Sequence, residues 1–220
     1  MSDSDPKGPD HGCLFDVASE QHGYFTVEQA HRCGFSWRTL LHHVKRGRFL
    51  HVRRGLYRLR DYPTSPRDEA AAAWLAVGKH NSVVSHESAL DLLDLSDVIA
   101  DRVHLIVPRA RRGLHAPPGV AVHTTSCPLR PDEVTTVDGI PVTTPARSIV
   151  DAAEAGTGPE QIEMAVDQAL ERRLATVEAL HGYASERGSR VAGLIAHAIA
   201  RAQRTPHGAD AAGRKVPGSG

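Results

Sequence analysis

The stretch Ser36-Trp37-Arg38-Thr39-Leu40-Leu41-His42-His43-Val44-Lys45-Arg46-Gly47 decides how the N-terminal part of this chain folds. Ser36 is a side chain suited to capping a helix start, and Gly47 is the residue a left-handed helix end prefers. Between them Trp37, Leu40, Leu41 and Val44 recur at i, i+3, i+4 and i+7, which predicts a helix with one apolar stripe. A turn of about 100° per residue carries Arg38, Thr39, His42, His43 and Arg46 to the opposite side. That outward set contains no acid, whereas a solvated helix face usually mixes both signs of charge.

The flanking sequence gives this helix a setting. Leu14, Phe15, Val17 and Ala18 predict a short amphipathic helix that stops by Gly23. Thr26-Val27-Glu28-Gln29 reads as a capping box, in which the Thr hydroxyl accepts from an early helix amide and the Gln side chain reaches back. The helix it opens closes at Gly34. Two helices joined by so short a turn predict a helix-turn-helix. Phe49-Leu50-His51-Val52 and Leu56-Tyr57-Arg58-Leu59, separated by Arg53-Arg54-Gly55, then predict a β-hairpin, the wing of a winged helix.

Charge points the same way. The 220 residues hold 26 Lys or Arg and 26 Asp or Glu, a net charge of zero that by itself argues against a nucleic-acid partner. Between Ala30 and Arg67, however, ten basic residues (Arg32, Arg38, Lys45, Arg46, Arg48, Arg53, Arg54, Arg58, Arg60 and Arg67) face one acid, Asp61. A neutral chain can still present one positive face to phosphates. In a helix-turn-helix the N-terminal part of the second helix enters the major groove, which makes Arg38, Thr39 and His42 candidates for base contacts, followed by His43 and Arg46. Ser36, Lys45 and Arg48 suit the DNA backbone, and Arg53 and Arg54 at the wing tip suit flanking phosphates. The competing reading is a basic face that is inert or docks an acidic partner.

The same region resembles a known family. Gly23-Tyr24-Phe25-Thr26, Ala30, Gly34-Phe35-Ser36, Gly47-Arg48-Phe49 and Arg54-Gly55-Leu56-Tyr57-Arg58-Leu59 are similar to the winged domain of AbiEi-type antitoxins of type IV toxin–antitoxin systems. Downstream, the run from Val137 to Asp151 (VDGIPVTTPARSIVD) is similar to a segment of the C-terminal domains of that family. The resemblance implies a repressor of its own operon that binds inverted repeats in double-stranded DNA beside the promoter. It also implies a neighbouring nucleotidyltransferase-like toxin, without requiring a stable complex with it. A chain that neutralises a toxin by direct contact, with the winged domain as scaffold, is the rival expectation.

After Tyr62-Pro63-Thr64-Ser65-Pro66 the pattern changes. Helices are predicted from Glu69 to Val77 and from His86 to Leu95. Strands are predicted at 103–107 and 120–123, and a hairpin at 134–143 with Asp138-Gly139 in its turn. Further helices are predicted at 145–155, from Pro159 to about Leu174, and at 190–202. The fold class is therefore α+β: a winged helix-turn-helix over 12–62 and a mixed α/β domain over 63–204, between disordered tails at 1–11 and 205–220. Arg109, Arg111 and Arg112 form a second basic cluster, which suits either an added DNA contact or a solvated loop. Asp151, Glu154, Glu163, Asp167 and Glu171 read as a solvated acidic helix surface.

Several chemistries are excluded. Pro131-Asp132 has no following acid-x-Lys to complete a PD-(D/E)xK nuclease. His86-Glu87 starts an HExxH pattern, but Leu90 occupies the fifth position. Gly78-Lys79 lacks a glycine-rich loop, and there is no GxSxG. No enzyme and no cofactor are expected, and the fourteen scattered histidines point to no metal. Cys13, Cys33 and Cys127 match neither a disulfide framework nor a zinc pattern, and no apolar run reaches the length of a membrane span. A cytoplasmic protein is the expectation.

Overall fold

The computed structural model describes residues 8–125 and 128–204. Its fold is α+β, with helices and two sheets, and its N-terminal part is a winged helix-turn-helix. Helix α1 (His11–Ser19) starts where Asp10 accepts from the Cys13 amide at 2.9 Å, so ordered structure begins before residue 12. The expected tails over 1–7 and 205–220 lie outside the described residues.

Strand β1 (Tyr24–Thr26) leads directly into α2 (Val27–Arg32), and Thr26 and Gln29 form the capping box in full. Gly34 turns the chain with φ 80°, and α3 (Trp37–Lys45) follows, capped by the Ser36 hydroxyl. The wing is β2 (Phe49–Arg53) and β3 (Leu56–Leu59), paired antiparallel. β1 pairs with the other edge of β3, giving the order β1-β3-β2. This third strand was not anticipated: three residues are too few to show alternation. Gly23, at φ 81°, is fixed by crowding, since a Cβ there would lie 2.5 Å from the ring of Tyr62.

Helix α4 (Asp68–Val77) is alanine-rich, and seven of its ten residues are buried. Small side chains suit a helix that touches β1 and β3 of the wing as well as strands of a second sheet. That sheet has the order β6-β5-β4-β8-β7, formed by β4 (Val83–Val84), β5 (Val103–Pro108), β6 (Val120–Thr125), β7 (Val134–Val137) and β8 (Ile140–Thr143). β5 and β6 run parallel, as do β4 and β8, while β4–β5 and β7–β8 are antiparallel. The predicted hairpin turn is present, with Asp138 and Gly139 at φ 49° and 80°, the left-handed pair that a two-residue hairpin needs. α5 (His86–Leu92) precedes β5, and it ends three residues earlier than expected, with Asp94 and Ser96 both at positive φ. α6 (Pro145–Ala155), α7 (Pro159–Glu171), α8 (Val177–Ser185) and α9 (Ser189–Ala202) complete the described chain. α8 was missed by the sequence reading, although Thr176 caps it through the Ala179 amide.

The core is in three clusters. One lies under the helix-turn-helix (Leu14, Phe25, Phe35, Leu40, Phe49, Tyr57), and one joins α6 to α9 around Ile149, Ile162, Leu180 and Ile195. The third holds α4 and the second sheet, and it also includes Tyr24 and Leu56 of the wing. Packing is therefore continuous across residues 62–63. Arg58 of the wing strengthens this, paired with Asp68 of α4 at 3.1 Å.

The cysteines correct an expectation. Cys13 and Cys33 are joined in a disulfide, with Cα atoms 5.7 Å apart, tying α1 to the end of α2. Twenty residues separate them, and only the packing of the two helices brings them together. Cys127 lies outside the described residues. No helix among the described residues is long and apolar enough to cross a membrane.

Candidate nucleic-acid interface

Helix α3 owes its position to Leu40, which is 1% exposed beneath it, and to Phe35 in the turn before it. The buried side of the helix is shifted from the predicted stripe. Trp37 is 53% exposed and Leu41 37%, whereas His43 is 6% exposed. The ring of His43 lies edge-on to His11 and Phe35, at 4.9 and 5.7 Å, and 4.9 Å from Phe49. His43 is therefore a core residue, turned away from the exposed face of α3 on which the sequence had placed it. The spacing reading failed because it counted His as polar, while a neutral imidazole packs against aromatic rings. Burial, helped by His11, Arg48 and His42, lowers the pKa of His43.

Arg38, His42, Lys45, Arg46, Arg48 and Arg54 are exposed, and Thr39 is half-buried. Ser36 accepts from the Thr39 amide and lies 2.8 Å from its hydroxyl, so both polar groups sit at the first turn of α3 beside Arg38. Among the described residues Arg38, Lys45, Arg46, Arg48 and Arg54 have no ion-pair partner. Arg32, at the end of α2, is likewise exposed with no ion-pair partner among the described residues, and the remaining four counted cations differ. Arg58 is buried against Asp68, Arg67 pairs with Asp138 at 3.1 Å, and Arg60 donates to the Gly47 carbonyl. Arg53 is half-buried and donates to the Pro118 carbonyl at 3.3 Å, so the wing leans on the loop before β6.

The second basic cluster comes close to the first. Arg109 and Arg112 are exposed on a short 3-10 turn after β5. The half-buried Arg111 guanidinium closes on Gly78, where a Cβ would lie 3.0 Å away, and shares a cavity of about 380 Å³ with Thr26, Glu28 and Arg32 of the helix-turn-helix.

A second concavity, of about 540 Å³, lies away from these residues. On one side Arg147 donates to Glu133 at 2.7 Å and to Asp151 at 2.8 Å, and Arg187 bonds Asp151 and Glu154, both at 2.9 Å. Asp151 is 3% exposed, which corrects its reading as part of a solvated acidic surface: on α6 it faces inward, four residues after its partner Arg147. Glu163 is likewise engaged, with Arg201 and His197. On the other side three histidines from α5, β5 and β6 converge: His86, His104 and His123. The sequence reading, which treated the histidines as scattered, could not see this.

One variant separates structure from recognition on α3. The Nδ1 atom of His43 is buried without a hydrogen-bond partner, and replacing such a group by an apolar one of similar shape is near neutral or stabilising. Since the folded ring resists protonation and the unfolded one titrates near pH 6.5, its contribution is present above that pH and lost as pH falls below it. His43→Leu is expected to leave DNA affinity within about twofold and to reduce the drop in urea midpoint between about pH 7.5 and pH 5.5. A large loss of affinity in a folded His43→Leu protein would return His43 to the interface.

Residues 14–60 match the family model described as transcriptional regulator, AbiEi antitoxin. The match spans α1 to the last wing strand and stops before α4. Among solved structures, the RV2827C protein from Mycobacterium tuberculosis superposes with a TM-score of 0.61 at 14% identity, covering 90% of this chain and 79% of that one. At that identity the likeness concerns the fold. No curated protein matches the chain.

Proposed function

We propose that this chain is a sequence-specific DNA-binding repressor acting on inverted repeats in its own promoter, as the autoregulating antitoxin of a type IV toxin–antitoxin operon with a nucleotidyltransferase-like toxin. The observation that carries the reading is the exposed face of α3 and the wing, where five basic side chains have no ion-pair partner among the described residues. The family match over residues 14–60 supports the regulatory role. Arg38, Thr39 and His42 read base edges, joined by the exposed Trp37, whose ring suits a thymine methyl. Lys45, Arg46, Arg48 and Arg54 hold phosphates, with Ser36 at the first turn. Arg109 and Arg112 extend the contact from the second sheet, and the chain works in the cytoplasm.

A mobility-shift assay with the upstream intergenic DNA across a salt series tests this. The four phosphate contacts of Lys45, Arg46, Arg48 and Arg54 give a slope of about −3.6 in log affinity against log salt, roughly a 150-fold loss for a fourfold rise in salt, and contacts from Arg109 and Arg112 steepen it. Ala at Arg38, Thr39 or His42 is expected to relax sequence preference by about 1–3 kcal/mol per lost base contact. Arg54→Ala is expected to weaken all sequences alike and to flatten the slope by about one. A salt-independent interaction, or none, would overturn the reading and favour neutralisation of the toxin by direct contact.

A further inference from the structure

We propose that His86, His104 and His123 form a binding site for a divalent transition-metal ion of the zinc class. One ring nitrogen from each lies within 4.8 Å of the others. His104 and His123 sit on the adjacent parallel strands β5 and β6, where His123 pairs with Ile106, so the two rings occupy the same sheet face two residues apart. His123 Nε2 and His104 Nδ1 are 3.1 Å apart, near the edge of about 3.3 Å for a tetrahedron of nitrogens around zinc at about 2.0–2.1 Å. His86 approaches from the start of α5, its ring stacked 3.7 Å from that of His123.

Further features of His86 fit an ion better than simple packing. His86 Nδ1 lies 2.8 Å from the Ser85 hydroxyl, the outer partner that fixes a ligand histidine's tautomer and leaves Nε2 to the metal. His86 is held at φ 54°, a left-handed conformation that a non-glycine residue adopts at some strain and that here aims its ring at the two strands. Three rings without a carboxylate suit zinc, nickel or copper and disfavour magnesium or calcium.

The ring set has room for more than three ligands. His86 and His123 line the concavity of about 540 Å³ that also holds Thr124, Arg130 and Glu133, so a remaining coordination position faces that cavity. Seating the ion requires the His86 and His123 rings to tilt out of their stack, a rotation about χ2 that imidazole side chains make readily.

The test uses the full chain, freed of metal with a chelator and titrated with Zn²⁺ by calorimetry and with Co²⁺ by visible absorption. The expected result is saturation at one equivalent, cobalt bands of a low-coordinate nitrogen site, and a thermal midpoint raised by zinc. His104→Ala and His123→Ala are expected to weaken that binding by at least about a hundredfold, the upper range for loss of an outer partner alone, whereas His42→Ala leaves it unchanged. Because a variant in so buried a cluster can fail to fold, ¹⁵N-histidine NMR of the unmodified chain is the second measurement. Zinc should shift the ring nitrogens of His86, His104 and His123 and no other set. Lack of saturable binding, a different set of shifted rings, or full affinity in the folded alanine variants would overturn the assignment.

Discussion

Replacing Arg147 by alanine is expected to destabilise the protein by about 3–5 kcal/mol, more than any single change on the DNA-facing surface. The Arg147 side chain is 10% exposed, Glu133 9% and Asp151 4%, so the three charges are out of bulk water together. Removing the guanidinium leaves Glu133 with the Arg130 amide and, at 3.9 Å, the exposed Arg130 guanidinium, and Asp151 with Arg187 alone. It also removes the cation lying 5.8 Å from the centre of the Tyr183 ring. Each carboxylate then stays out of bulk water with its closest cation or one of two cations gone, and for a chain of this size the loss corresponds to a drop of roughly 6–20 °C in Tm. Arg147→Lys keeps the charge but not the two-pronged donor geometry that serves both acids, so it should fall between. The combination Arg147→Met with Glu133→Gln should recover part of the loss, because a neutral amide costs far less to bury than an unpaired carboxylate. Calorimetric melting of the four proteins decides it: an Arg147→Ala protein within about 1 kcal/mol of the parent would mean water reaches these charges and the network is a surface one.

This contrast also marks where sequence reading stops. Features set by near neighbours were legible: the Thr26–Gln29 box, the Ser36 cap, the turn at Gly34, and the hairpin at Asp138-Gly139. Each depends on residues three or four positions apart, or on a backbone conformation that few residues tolerate. The candidate DNA face was legible in part, because Arg38 and His42 are exposed by helix rotation alone. What failed depended on distant partners. β4 is only two residues long and exists because β5 and β8 flank it. His43 is buried because His11, Phe35 and Phe49 surround it, and Arg58 is lost to the surface because Asp68 lies opposite. The disulfide and the three-histidine cluster likewise join residues from separate elements, and no local spacing encodes that.

A fragment ending at residue 62 is expected to fold only with its disulfide intact, and not at all when reduced. Cutting there exposes Tyr24 and Leu56, which are buried in the cluster built on α4, at about 1.5–3 kcal/mol for each apolar side chain returned to water. It also removes Asp68, leaving the guanidinium of Arg58 without the carboxylate it meets at 3.1 Å, and the Pro63 carbonyl that accepts from it at 2.8 Å. Against these losses, a single core of this size supplies only about 3–5 kcal/mol. The Cys13–Cys33 bond, closing a separation of 20 residues, adds about 3 kcal/mol by restricting the unfolded chain. With the bond present the gains narrowly exceed the losses, and the unfolded state wins when it is absent. The full chain, in which α4 covers both wing residues, is expected to stay folded under either condition and to unfold in one transition, because its central cluster belongs to both parts. Circular dichroism melts of fragment and full chain, each with and without reductant, measure this directly. A reduced fragment that melts cooperatively at the temperature of the full chain would show that α4 contributes nothing to the winged domain.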